Sequence, residues 1–218
     1  MLDEKYKVTE LKNHEYKDWL LKKHYARRLT NVSFCFGLID NDYKLHGVCT
    51  FGSSANYHYN DGDCLFHTIK VRTLELNRLV INQTNEKNIL SYFVSQCIKL
   101  IPKPTALVSY ADPNNNHHGY IYQATNWLYT GESNPKTKFI FEDGSSYDMR
   151  RGLDKKGKIV EQVKMKPTLR YIYINAAKRD KKKLIKDLKV ELKPYPKGQN
   201  GRYECIDIDM TVQPDLFI

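Results

Sequence analysis

The chain has 218 residues, 41% of them hydrophobic, and a formal net charge of +10. That length suits one domain with a real core. No apolar run approaches the ~20 residues of a membrane helix, and the opening MLDEKYKVTE lacks a secretory apolar stretch, so a cytoplasmic protein without membrane contact is expected. Excess positive charge and sixteen tyrosines suit an anionic, nucleic-acid-like partner; a solvated lysine surface is the plainer alternative. Cys35, Cys49, Cys64, Cys97 and Cys205 are odd in number and no pair has a zinc spacing, so reduced thiols are expected.

Residues 13–28 (NHEYKDWLLKKHYARR) predict a helix, with Tyr16, Trp19, Leu20 and Ala26 near one face and basic residues in its later turns. Residues 32–39 and 45–51 predict a hairpin turning at Asn41-Asp42. The Asn-, Asp-, Gly- and His-rich stretch 53–70 reads as a loop, and 74–81 as a third strand. A helix over 86–100 follows, with Leu90, Phe93, Val94, Cys97 and Ile101 on one stripe and Pro102 and Pro104 ending it. Residues 105–110 suit a buried strand, 118–126 a short helix, and 127–129 a strand restart. Strands at 138–141 and 169–175 and a basic helix at 179–190 complete the pattern, before Pro194, Pro196 and Gly198 break it. This order predicts a mixed α+β fold: a central twisted, mostly antiparallel sheet with helices on both faces.

The most unusual stretch is 109–131, SYADPNNNHHGYIYQATNWLYTG. A core element has no need of so many polar groups, and a surface loop no need of so many aromatics. The mixture suits a pocket holding a flat polar ring. Tyr110, Tyr120, Tyr122, Trp127 and Tyr129 divide between core and pocket. His117 and His118 read as loop surface. Asp112 before Pro113 reads locally as a turn opener. Glu75 and Arg78, three apart on one strand, are expected on opposite faces of the sheet. Arg78 suits a forked contact to an anion, or a structural ion pair.

The element order is similar to the acetyltransferase-like (GNAT) fold. HYARR at 24–28, CFGL at 35–38, GVCTFG at 47–52, ELNRLVI at 75–81, KNILSYFVS at 87–95, the 109–131 block, RYIYI at 170–174 and PYPKG at 194–198 resemble the phage Mom family of DNA-modification proteins. The resemblance spans most of the chain. It implies an acetyltransferase-like catalytic core over 1–150, with 151–218 adding a strand and a basic helix to the same domain. It implies conversion of adenine in double-stranded DNA to an N6-carbamoylmethyl form, shielding phage DNA from restriction inside the host cell. It also implies an iron site, with His24, Tyr25, Asp112 and Tyr122 as ligands or close neighbours.

On that reading Asp112, Tyr122, His24, Tyr25 and Arg78 are catalytic candidates, with Asp112 as a base toward the adenine amino group. Ser91, Ser109, Tyr110, Tyr120, Gln123 and Asn126 are substrate-binding candidates; Gln123 and Asn126 suit an adenine edge, or turn and cap duty. Arg27, Arg28, Lys181, Lys182 and Lys183 are candidates for the DNA backbone. A duplex adenine must leave the stack first. The junction NQTNEKN at 82–88 lacks the glycine-rich loop that cradles a pyrophosphate, which counts against acetyl-CoA. A thioester would also deliver a carbonyl carbon, whereas a carbamoylmethyl group is attached through a saturated one; the donor stays open. The competing readings are a CoA-dependent N-acetyltransferase acting on a protein or small amine, an adenine methyltransferase, and a noncatalytic DNA-binding protein.

Overall fold

The computed structural model describes residues 1–54, 65–148, 158–198 and 207–212. It opens with a helical turn, α1 (Leu2–Lys5), and an edge strand, β1 (Tyr6–Glu10), neither of them expected from the charged N-terminal sequence. The predicted first helix starts as α2 (Asn13–Asp18) but continues as a π-turn, Trp19–Lys23, and stops there, short of Arg28. The wider π-turn lets Trp19, Leu20 and Lys23 all bury against the sheet. The Lys23 ammonium is neutralised by Asp207 at 3.0 Å, which straps the C-terminal segment to the end of this helix.

The predicted hairpin is present as β2 (Phe34–Asp40) and β3 (Leu45–Gly52). Asp40 closes its turn by accepting the amides of Asp42 and Lys44 at 3.0 and 2.9 Å. Most of the expected 53–70 loop lies outside the described residues. Next come β4 (Arg72–Ile81), α3 (Ile89–Leu100) and β5 (Thr105–Ala111). The buried stripe of α3 starts at Ile89 rather than Leu90. A 3-10 turn (Pro113–Asn115), the short α4 (Tyr120–Ala124) and β6 (Leu128–Glu132) follow. A separate three-stranded sheet, β7 (Lys136–Phe141), β8 (Ser146–Asp148) and β9 (Ile159–Met165), then projects before β10 (Leu169–Asn175) and α5 (Lys178–Lys186). Only the first of those three small strands is visible in the sequence pattern.

The main sheet has the order β1-β2-β3-β4-β5-β10-β6. Among the described strands only β4 and β5 pair in parallel. Phe93, Val94 and Cys97 of α3 cover one face, packing on Phe36, Phe51 and Leu107. The π-turn covers the other face through Trp19 and Leu20, and α5 does so through Leu184. The fold is therefore mixed α+β, with a mostly antiparallel sheet and helices on both faces.

Two irregularities in the middle of this sheet create the site. First, β3 and β4 pair Thr50 with Arg78 but Phe51 with Leu76, so Asn77 is an extra, bulged residue. Leu74 and Leu76 face α3 before the bulge, and Leu79 and Ile81 face it afterwards. Strict alternation fails here, and Glu75 and Arg78 share the face opposite α3 instead of lying on opposite faces. Second, the parallel ladder runs from Arg72–Thr105 to Glu75–Val108 and stops, although both strands continue. The sheet opens at that point.

Candidate active site

The opening between β4 and β5 is bridged by Ser109. Its Oγ lies 2.8 Å from the Leu76 carbonyl oxygen and 2.7 Å from the Tyr122 hydroxyl. The carbonyl can only accept, so the serine proton goes there and the Tyr122 hydroxyl donates to Ser109. Burial raises the Tyr122 phenol far above its ordinary range and keeps it protonated. Tyr122 reaches the opening from the α3 side.

The remaining groups approach from the opposite face. The π-turn ends at His24, whose backbone turns to an extended conformation. Asn77 pins the segment beyond it, its Nδ2 donating to the Asn31 carbonyl at 2.9 Å. Gly52 makes that approach possible, since a Cβ there would lie 1.9 Å from the Asn31 oxygen. The bulge thus holds the segment that follows His24 and Tyr25 over the sheet. The Tyr25 ring packs on His24 with centroids 4.3 Å apart and meets the edge of His117 at 5.5 Å.

His24 is 5% exposed, and its Nδ1 accepts the Ala26 amide at 3.1 Å. Burial first, then the Arg78, His117 and Arg28 charges, bring its pKa down to about 3, so the ring is neutral. Burial and the Asp112 carboxylate push the Tyr25 phenol up. His117 is pushed down by burial, against the pull of Asp112. Arg78 donates through Nη1 to the Asn77 carbonyl at 2.6 Å, while its buried Nε has no hydrogen-bond partner among the described residues. Glu75 accepts the Ser54 hydroxyl at 2.9 Å and faces Arg78, Tyr25 and Tyr122 electrostatically.

The structure therefore brings His24, Tyr25, Arg78, Ser109, Asp112 and Tyr122 into one neighbourhood, with exposed Arg28 at its border. Glu75 and His117 also belong to it and are not among the sequence candidates. The polar run Glu75-Leu76-Asn77-Arg78, which breaks alternation, was the signal for the first. Ser91 lies on α3, across the sheet, and donates to its own helix at Asn88. Tyr110 faces the α5 side. Asn126 is an exposed left-handed residue just past α4, whose amide donates to the Gln123 carbonyl at 3.1 Å, so it caps rather than lines the opening. Arg27 is exposed in a left-handed turn. Lys182 and Lys183 are exposed on α5, but Lys181 lies over the Tyr173 ring at 4.3 Å.

The four expected iron ligands, His24, Tyr25, Asp112 and Tyr122, lie together in this neighbourhood, where His24, Asp112 and Tyr122 each hold protein hydrogen bonds. The His24 Nδ1 accepts the Ala26 amide, which places the ring proton on Nε2. Asp112 spends its oxygens on its own turn, accepting Asn114 N, Asn114 Nδ2 and Asn115 Nδ2 at 2.9, 2.7 and 3.0 Å. In the 82–88 junction the Gln83 amide donates to Asp207 at 2.9 Å and the Glu86 amide to Thr84 at 3.1 Å.

A model of the Mom protein family matches residues 5–197, which include every residue of this neighbourhood. The chain belongs to the Mom family. It is 27% identical over 216 residues to the methylcarbamoylase Mom of Escherichia phage Mu, covering 88% of this chain and 86% of that protein. Solved structures of similar topology include the spermidine/spermine N-acetyltransferase SpeG of Vibrio cholerae, at 9% identity and a TM-score of 0.46, covering 80% of this chain and 95% of that one. Another is the ribosomal-protein-S5-alanine acetyltransferase of Vibrio fischeri, at 12% identity and a TM-score of 0.46, covering 79% and 94%. No helix among the described residues of this Mom-family chain is long and apolar enough to cross a membrane.

Proposed function

We propose that this Mom-family protein is a transferase that converts adenine in phage DNA to its N6-carbamoylmethyl form and so shields that DNA from restriction. The observation that carries the reading is the family match across 5–197, together with the methylcarbamoylase named in phage Mu. The net charge of +10 and the exposed Arg27 and Arg28 beside the site suit a DNA backbone.

An extruded adenine enters the opening between β4 and β5. Its amino nitrogen must lose a proton as its bond to the donor's saturated carbon forms and that carbon's bond to its leaving group breaks, and Glu75 is the nearby carboxylate that takes the proton. Asp112, committed to its turn, positions His117 and the Tyr25 ring. The unpartnered Nε–H of Arg78 is a ready donor to the carboxamide oxygen of the incoming group. The Tyr25 ring, backed by the buried and neutral His24, supplies stacking surface and excludes water.

Co-expression with a plasmid, digestion of the DNA to nucleosides and mass measurement test this directly. Adenosine carrying an added carbamoylmethyl mass is expected from the wild type. Glu75→Gln should abolish it with unchanged thermal stability, and Asp112→Asn should reduce it while loosening the 3-10 turn. An added methyl, or unmodified adenosine alone, would rule out the proposed activity.

A further inference from the structure

A cleft with a volume of about 370 Å³ includes residues of the C-terminal arm. Its walls carry His118, Tyr120 and Gln123 on one side and Tyr195, Lys197 and Gly198 on the other. The walls are tied together. Gln123 Nε2 reaches the His118 carbonyl at 3.4 Å, the Tyr171 hydroxyl at 3.1 Å and the Pro196 carbonyl at 3.4 Å. The Tyr171 hydroxyl donates to the His118 carbonyl at 2.7 Å, and the Tyr195 hydroxyl to the Trp127 carbonyl at 2.7 Å. Gly198 closes against His118, where a Cβ would lie 2.7 Å from the imidazole.

Tyr120 is 70% exposed, and Tyr195 is 44% exposed with its hydroxyl tied to the Trp127 carbonyl. Gly119, with φ +82°, sits so close to the Tyr171 ring that no side chain fits, and this sets where Tyr120 emerges. Exposed rings on a fixed frame are stacking platforms. Among the described residues the cleft's lining contains a lysine and no carboxylate. Its position is equally specific. His117 meets Tyr25 in the site and the next residue, His118, lines the cleft, so one peptide step of about 3.8 Å separates the two walls.

We propose that this cleft holds the nucleotide next to the target adenine, its base against Tyr120 and Tyr195 and its phosphate against Lys197. The proposal rests on the DNA-modifying reading and adds to it the subsite that grips the flanking nucleotide. The sequence block 194–198, which carries no role in the chemistry of the opening, gains one here.

A short single strand carrying 2-aminopurine, titrated with purified full-length protein, tests the proposal without relying on catalysis. Stacking in the cleft quenches the fluorophore when wild-type protein binds. Tyr120→Ala should remove most of the quench and weaken binding by about 5- to 150-fold, the loss of one base–aromatic stack. Tyr120→Phe should restore both, and Lys197→Gln should weaken binding while keeping the quench. If Tyr120→Ala quenches and binds like the wild type, or if the wild type gives no quench, the cleft is not a nucleotide subsite. Quenching by a wild type that leaves plasmid adenine unmodified would sink the proposed reaction and leave the cleft assignment standing.

Discussion

Lowering the pH should destabilise this fold through His24 before most carboxylates titrate. In the unfolded chain the imidazole takes a proton near pH 6.5; in the folded chain burial and the Arg78, His117 and Arg28 charges hold it off until about pH 3. The unfolded state therefore binds more protons between those limits. Its contribution to stability is fully present above about pH 6.5 and declines as the pH falls toward 3. Each pH unit in that window removes about 1.4 kcal/mol, so a drop to about pH 5 removes about 2 kcal/mol. That is a substantial fraction of the 5–15 kcal/mol typical of a folded domain. Urea unfolding of wild type and His24→Gln at pH 7 and 5 reads the effect; the glutamine oxygen can still accept the Ala26 amide. His117 shifts in the same direction but remains in both proteins and cancels in the comparison. The variant should lose about 2 kcal/mol less than the wild type over this interval. Equal losses would mean that His24 is not sealed as described.

Gly119→Ala should lower the melting temperature by the equivalent of about 1–3 kcal/mol, because it adds left-handed strain and a Cβ 2.3 Å from the Tyr171 ring; unchanged melting would place that ring elsewhere. Arg28→Gln should reduce the salt slope of DNA binding by about 1, as expected for one lost phosphate contact. Lys182→Gln with Lys183→Gln should lower the slope by about 2, while Lys181→Gln, which removes a cation resting on Tyr173, changes it little. Equal slopes for the three lysine positions would contradict that placement.

Local patterns were enough to find much of this fold. The β2–β3 hairpin follows from two short apolar runs around a turn whose Asp40 caps it, and α3 from a helical stripe closed by Pro102. The 109–131 block announced a pocket through its mixture of rings and polar groups, since neither a core nor a loop accounts for both. β1 was hidden because its edge position leaves most of it partly exposed, without a clean apolar face. β9 was hidden because its residues are exposed or only half-buried, without a clean apolar face.

What sequence could not determine was the facing of Glu75 and Arg78. A strand's period of two is a local rule, and a single extra residue overturns it when the neighbouring strand fixes the register. Nor could spacing show that Asp112 turns both oxygens back onto its own loop, or that Tyr195 and Lys197 meet Tyr120 across a cleft. Side-chain chemistry is written along the chain, but which groups share a cavity depends on packing between segments far apart in sequence. Residue types alone set the basic charge and the aromatic inventory of this protein; only the folded sheet, opened between β4 and β5, decided which of them can act on one substrate.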